Sequence, residues 1–394
     1  MRKTTALVAL MLCALLSCAT VNAAATEKKD YEIVSSLVED DSDVVVVRRN
    51  QVLFMLYDET IIGAEFDDPD IRLQAAYPGF AIMQSAVYMD RKFEKAAQIG
   101  LGIGTVPSFL RAMGIPTDVV EISDAVVRQA TNYFQYERCE DADPEDCVNG
   151  KTVVTDGLAF LKQTPETPLY DLFIIDVYTG WNPVAFYVQE VMRNVRDNWL
   201  RGPSSVFVVN FVGLFNGPHA VVPKSIYRTL QSVFKHVKCF REMDNIHDED
   251  ASNIVFFASN EPFVFNVPTH GDYKDPIYNT YFYIFTDLDA SVEVEVQQGV
   301  EAEEVTFETS TAEASPSPSP SDVSAATTAR ARVLTEEDHG QNEFQDTHTF
   351  TQKHMRDRVV DQFPQTFWDD VKEKRRVKTS SSKKSAATEA KEEL

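Results

Sequence analysis

Gly100-Leu101-Gly102-Ile103-Gly104 stands between the apolar run Ala96-Ala97-Gln98-Ile99 and a helix-like stretch. Glu121 closes the next strand-like run, Asp118-Val119-Val120. Glycines let a strand-to-helix turn approach a ligand closely, and an acid after the second strand can bind both hydroxyls of a ribose. An ordinary tight turn and a solvated strand end are the plainer readings of each feature alone. Their spacing points instead to a nucleoside-binding α/β domain. Two further acids stand at strand ends, Asp156 (followed by Gly157) after the third run and Asp176 after the fourth.

The turn does not complete G-x-G-x-x-G, because position 105 is Thr105. A G-x-G-x-G turn is more typical of S-adenosylmethionine-type ligands, which lack a pyrophosphate. Asp156 could accept a hydrogen bond from an adenine amino group, or cap the following helix. Asp176 follows Leu172-Phe173-Ile174-Ile175 and so belongs at the mouth of a cleft, as a base, as an anchor for a cationic substrate, or as a structural acid. Tyr178, Trp181 and Asn182, just past it, would shape an acceptor pocket. The seven histidines are scattered with no H-E-x-x-H pair, and no zinc spacing occurs, so no metal is expected.

These residues need a scaffold. Residues 43 to 66 read as β-hairpin material, within a small β-rich unit over 30–85. Strand-like runs follow at 96–100, 117–122, 152–155, 171–177 and 205–213, with helix-like stretches at about 106–113, 124–136, 157–163, 183–199 and 223–234. Five such units imply a parallel sheet with helices on both faces. The last two runs, near 236–242 and 253–259, are separated only by the acidic stretch Asp244 to Asp250, so they should pair antiparallel. The expectation over 86–290 is therefore a doubly wound, Rossmann-like α/β domain with the seven-stranded sheet of S-adenosylmethionine-dependent methyltransferases, not a dehydrogenase sheet.

Residues 1–23 carry Arg2 and Lys3, an apolar core and a small-residue site at Val21-Asn22-Ala23, the pattern of a secretory signal peptide. The chain closes on Lys391-Glu392-Glu393-Leu394, one carboxylate exchange from a Lys-Asp-Glu-Leu retrieval signal. The two together suggest the endoplasmic reticulum lumen and a retrieval receptor as partner, with secretion as the alternative and no membrane span after cleavage. Cys139 and Cys147 bracket a short polar loop, where a disulfide is plausible in an oxidising compartment; Cys239 reads as a buried strand residue. A net charge of −24 excludes nucleic-acid binding through a general basic surface. From about 297 the composition turns Glu-rich, then Ser/Pro-rich through Ser315 to Pro320, and reads as a disordered tail over 297–394. A short helix is expected at 359–371, where Phe363, Phe367 and Trp368 would serve either a partner or the chain's own domain.

From Tyr77 through Gly213 the sequence resembles the spermidine synthase family, the polyamine aminopropyltransferases and their relatives. The resemblance rests on Ile99-Gly100-Leu101-Gly102-Ile103-Gly104-Thr105, Val119-Val120-Glu121-Ile122-Ser123, Asp156-Gly157-Leu158-Ala159-Phe160-Leu161 and Tyr170-Asp171-Leu172-Phe173-Ile174-Ile175-Asp176. It implies S-adenosylmethionine or its decarboxylated form as co-substrate, with Gly100, Gly102, Gly104, Glu121, Asp156 and Gly157 around it. It further implies Asp176 as the acid that deprotonates the attacking amine, Tyr77 at the acceptor, and a homodimer. Three family carboxylates are missing: the glycine turn has Ile103, the motif before the first strand reads Tyr77-Pro78-Gly79, and Thr179 replaces a second acid after Asp176. A divergent transferase moving a methyl or aminopropyl group, or an inactive binding module of the secretory pathway, are the two expectations.

Overall fold

The computed structural model describes residues 29–140, 147–214, 218–241, 251–266, 305–307, 327–329, 331–338 and 342–376. The expected signal peptide, the Ser/Pro run, the acidic stretch at 244–250, the domain limit at 290 and the terminal tetrapeptide lie outside these residues.

The main body is a seven-stranded sheet. In chain order its strands are β5 (Ala96–Ile99), β6 (Thr117–Glu121), β7 (Thr152–Val154), β8 (Leu172–Ile175), β9 (Val206–Gly213), β10 (His236–Arg241) and β11 (Ser252–Ser259). Across the sheet the order is β10-β11-β9-β8-β5-β6-β7. β5 through β9 run parallel, while β11 is antiparallel to both β9 and β10. The expected sheet is thus the one that forms, and a β5/β8 neighbour pair opens a cleft at the point where the strand order reverses. The parallel strands are apolar throughout because helices cover both faces: Phe173, Ile175, Phe207 and Val209 face one core, Leu172, Ile174, Val206 and Val208 the other.

Helices α2 (Thr105–Ala112), α3 (Asp124–Tyr133), α4 (Gly157–Leu161), α5 (Gln189–Asn194) and α6 (Val221–Val233) connect these strands. The helical stretch expected over 183–199 is broken: a 3₁₀ turn at Val184–Phe186 and a π-turn at Val195–Trp199 flank α5. Helix α1 (Pro78–Gln84) precedes β5, with Pro78 at its first position, where a missing N–H costs nothing.

Ahead of the main sheet, β1 (Tyr31–Glu39), β2 (Ser42–Arg49), β3 (Val52–Tyr57) and β4 (Thr60–Phe66) form an antiparallel meander. Its first two connections are two-residue turns, Asp40-Asp41 and Asn50-Gln51, with positive φ at both residues, the chemistry that Asp and Asn tolerate best in tight hairpins. Val44 to Val47 are all buried with no alternation. Val44 and Val46 pack toward α3 and the glycine turn, Val45 and Val47 toward the opposite face.

That opposite face is covered by the C-terminal segment. Two helices, α7 (Asn342–Gln362) and α8 (residues 365–376), meet at Phe363-Pro364. Val359, Phe363, Phe367, Trp368 and Val371 pack on Tyr31, Val45, Val47 and Leu56. Residues 331–338 and 342–376 of the tail are therefore ordered, unlike the disorder expected there. The aromatic island supplies enough apolar surface to dock on the chain's own first sheet, and the helix expected at 359–371 is the junction of two. Tyr31 donates to Asp370 at 2.7 Å, and Arg375 reaches Asp43 at 3.3 Å.

Among the described residues, no helix is long and apolar enough to cross a membrane. Cys139 and Cys147 are disulfide-bonded, and Cys239 is a buried free thiol.

Candidate active site

A cavity of about 770 Å³ opens above the carboxyl ends of β5, β6 and β8. One wall is the glycine turn. Gly100 has φ +90°, and a Cβ there would sit 1.9 Å from the carbonyl oxygen of Asp176. Only glycine allows the end of β8 to lie against the turn. The glycine turn and the Asp176 side of the cleft are thus joined by direct backbone contact. Gly102 also lines the cavity, but Gly104 does not. It precedes α2, and a Cβ on it would meet the Tyr136 ring at 2.8 Å, so its role is close packing under the turn.

Glu121 is 9% exposed and lines the cavity from the end of β6. Its carboxylate accepts from the backbone N–H of Leu101 at 2.8 Å and of Ser123 at 3.0 Å. Burial pushes its carboxyl above the ordinary range, and these backbone donors oppose that shift. Glu121 therefore holds the glycine turn in shape while facing the ligand space. Asp156 is a helix cap that also reaches the cavity. It caps α4 by accepting from the N–H of Ala159 at 2.7 Å, and it lines the cavity with Gly157.

Asp176 forms the floor. Asn210 Nδ2 donates to it at 2.8 Å and to Asn253 Oδ1 at 2.9 Å. Burial pushes the Asp176 carboxyl up to about 6, and the Asn210 hydrogen bond restrains the shift. The same floor carries polar atoms with no partner among the described residues: Gln98 Oε1, Thr105 Oγ1, Tyr178 Oη and Asn210 Oδ1. All four residues line the cavity. Buried orphans of this kind are costly unless a ligand or water pairs them.

Of the expected acceptor residues, Tyr77, Tyr178 and Trp181 line the cavity, and Trp181 is 52% exposed at its mouth. Asn182 does not belong there. Its side chain is buried and grips the backbone of Val212 on β9, donating at 2.7 Å and accepting at 3.0 Å. Asn210, Asn253 and Gln98 are the residues that sequence reasoning passed over. A signal existed for Asn210, the lone amide in the apolar strand Val206-Phe207-Val208-Val209-Asn210-Phe211-Val212-Gly213. Ile103 is 4% exposed, and its side chain packs against Gly63 of β4. Among the described residues, no group of histidines, cysteines and acids could hold a metal ion.

No family model matches the chain. A probable spermidine synthase from Corynebacterium glutamicum superposes with a TM-score of 0.52 at 15% identity, over 72% of this chain and 100% of that one. The fold is that of the spermidine synthases. The spermidine synthase of Thermotoga maritima is a more distant neighbour, with a TM-score of 0.41 and 18% identity over 58% of this chain and 73% of its own. In sequence, an N-terminal histidine N-methyltransferase of Emericella nidulans is 30% identical over 189 residues, 45% of this chain. The chain spans about a third, 31%, of that relative's length.

Proposed function

We propose that this chain is a transferase that uses S-adenosylmethionine, or its decarboxylated form, to alkylate a nitrogen of its acceptor. The observation that carries this reading is the single cavity of about 770 Å³ in which Gly100 and Gly102, Glu121, Asp156 and Asp176 share one continuous surface. The adenosine would lie along the glycine turn, with its ribose at Glu121 and its adenine at Asp156. The sulfonium would then face Asp176. In the reaction the acceptor's nitrogen lone pair attacks the carbon attached to sulfur. The carbon–sulfur bond breaks, its electron pair stays on sulfur as a neutral thioether, and the proton leaving nitrogen passes to the Asp176 carboxylate.

Three observations bear on the group transferred and on the atom that receives it. Ile103 occupies the place in the turn where a carboxylate would pair with an aminopropyl ammonium, and it is packed against Gly63 rather than free to be replaced in function by a neighbour. The relative in Emericella nidulans is described as a nitrogen methyltransferase, which supports nitrogen as the atom modified. With Thr179 in place of a second acid, a multiply charged polyamine would meet Asp176 nearly alone.

Calorimetry with S-adenosylmethionine, its decarboxylated form and methylthioadenosine tests the reading. Binding of at least one is expected, weakened about tenfold by Glu121→Ala, the scale of a lost charge-assisted hydrogen bond. No heat at millimolar ligand for any of the three would remove the transferase and leave the binding-module alternative. The Cys139–Cys147 bond supports an oxidising compartment for this chemistry.

A further inference from the structure

Beyond its acids, the cavity is lined by one cationic side chain among the described residues, and it comes from the tail. Arg358 of α7 lines the cavity with Met355, Val359 and Gln362. Its Nη1 donates to the carbonyl of Ala251 at 3.0 Å. Ala251, just before β11, and Asn253 of β11 both line the cavity, and Asn253 touches Asn210, the partner of Asp176. No carboxylate of the described residues pairs with Arg358, whereas its helix neighbours Lys353 and Arg356 are paired with Asp357 and Glu59. Guanidinium carries five donors in a planar fork, and one contact to a carbonyl leaves most of them directed elsewhere.

We propose that Arg358 is a carboxylate-binding subsite of the cleft, supplied to the main sheet by the same chain's docked C-terminal helix. This rests on the transferase reading and deepens it. The carboxylate has two possible sources, the methionyl end of S-adenosylmethionine or the acceptor itself. Either source separates this site from one built for polyamines, which offer only cations. A methionyl source would further select S-adenosylmethionine over its decarboxylated form, and so methyl over aminopropyl transfer.

The test uses the full chain and two pairs of probes, each differing chiefly in a carboxylate-bearing group. S-Adenosylhomocysteine is compared with methylthioadenosine, and then L-histidine with histamine on protein saturated with S-adenosylhomocysteine. The wild type should prefer the carboxylate-bearing member of at least one pair by about tenfold, and Arg358→Gln should abolish that preference while Arg358→Lys keeps part of it. Loss in the first pair assigns the co-substrate's carboxylate, loss in the second the acceptor's. Lys353→Gln, on the solvent side of the same helix, should change neither, and Trp368 emission reports whether the helices stay docked in each variant. Wild-type preferences that are absent, or that survive Arg358→Gln with the tail docked, overturn the subsite. Failure of the wild type to bind either adenosine compound overturns the transferase reading, and the subsite with it.

Discussion

In the proposed transferase Asp176 is both a base and a buried group, and the two demands set its pH behaviour. Burial raises its carboxyl from 3.8 to about 6 in the folded chain. A base must be ionised, so kcat/KM should be low near pH 5, rise through about pH 6 and level off above pH 7. Asp176→Asn should cut the rate about 10²- to 10⁴-fold and flatten that profile while leaving co-substrate binding in place. Stability should move the other way. Because the folded pKa is raised, this group's contribution is fully present below about pH 3.8 and is lost as pH rises through about 6. Asp176→Asn should therefore raise the melting temperature at pH 8 and leave it nearly unchanged at pH 4, as thermal denaturation at the two values would check. Asn210 fits this picture as the positioning residue, since it holds the carboxylate and Asn253 together.

At the scale of elements, the glycine turn and the end of β8 are one device. Gly100→Ala would drive a methyl group into the Asp176 carbonyl. It should cost about 2–3 kcal/mol in chemical denaturation and abolish co-substrate binding as well. Much of this was legible in the sequence. Alternating strand and helix periods located β5 to β9, and the short β10–β11 connection required an antiparallel pair. What escaped was set by packing rather than by local pattern. β1 alternates weakly because it lies at a sheet edge, with Glu32 exposed and Ser36 buried. Asn182 is a turn residue in sequence but a latch on Val212 in space. Gly104 has the motif's spacing, yet the ring of Tyr136 occupies the side it faces. The loop closed by Cys139 and Cys147 is short, with a separation of 8 residues, so replacing both by Ser should lower stability by only about 2–3 kcal/mol in the same denaturant assay.

On the scale of the whole molecule, the continuous run Val44 to Val47 held an overlooked message. A strand buried on both sides needs two covers, and only one was visible in the neighbouring sequence. The second cover comes from residues about 300 positions later in the chain, with Phe367 fully buried at its centre. Phe367→Ala should cost about 3–5 kcal/mol of docking, seen as faster proteolysis after residue 340 and a red shift of Trp368 emission. Composition argued for disorder here because averages over a long polar stretch conceal a short apolar island. The same docking has a practical corollary for anyone preparing this protein. Ending the chain before residue 342 would remove the Arg358 guanidinium from the cavity lining and bare Val45 and Val47 of β2 to solvent. Under the proposed function, such a shortened product would bind its ligand with part of the cavity wall missing, and its selectivity would say little about the native molecule.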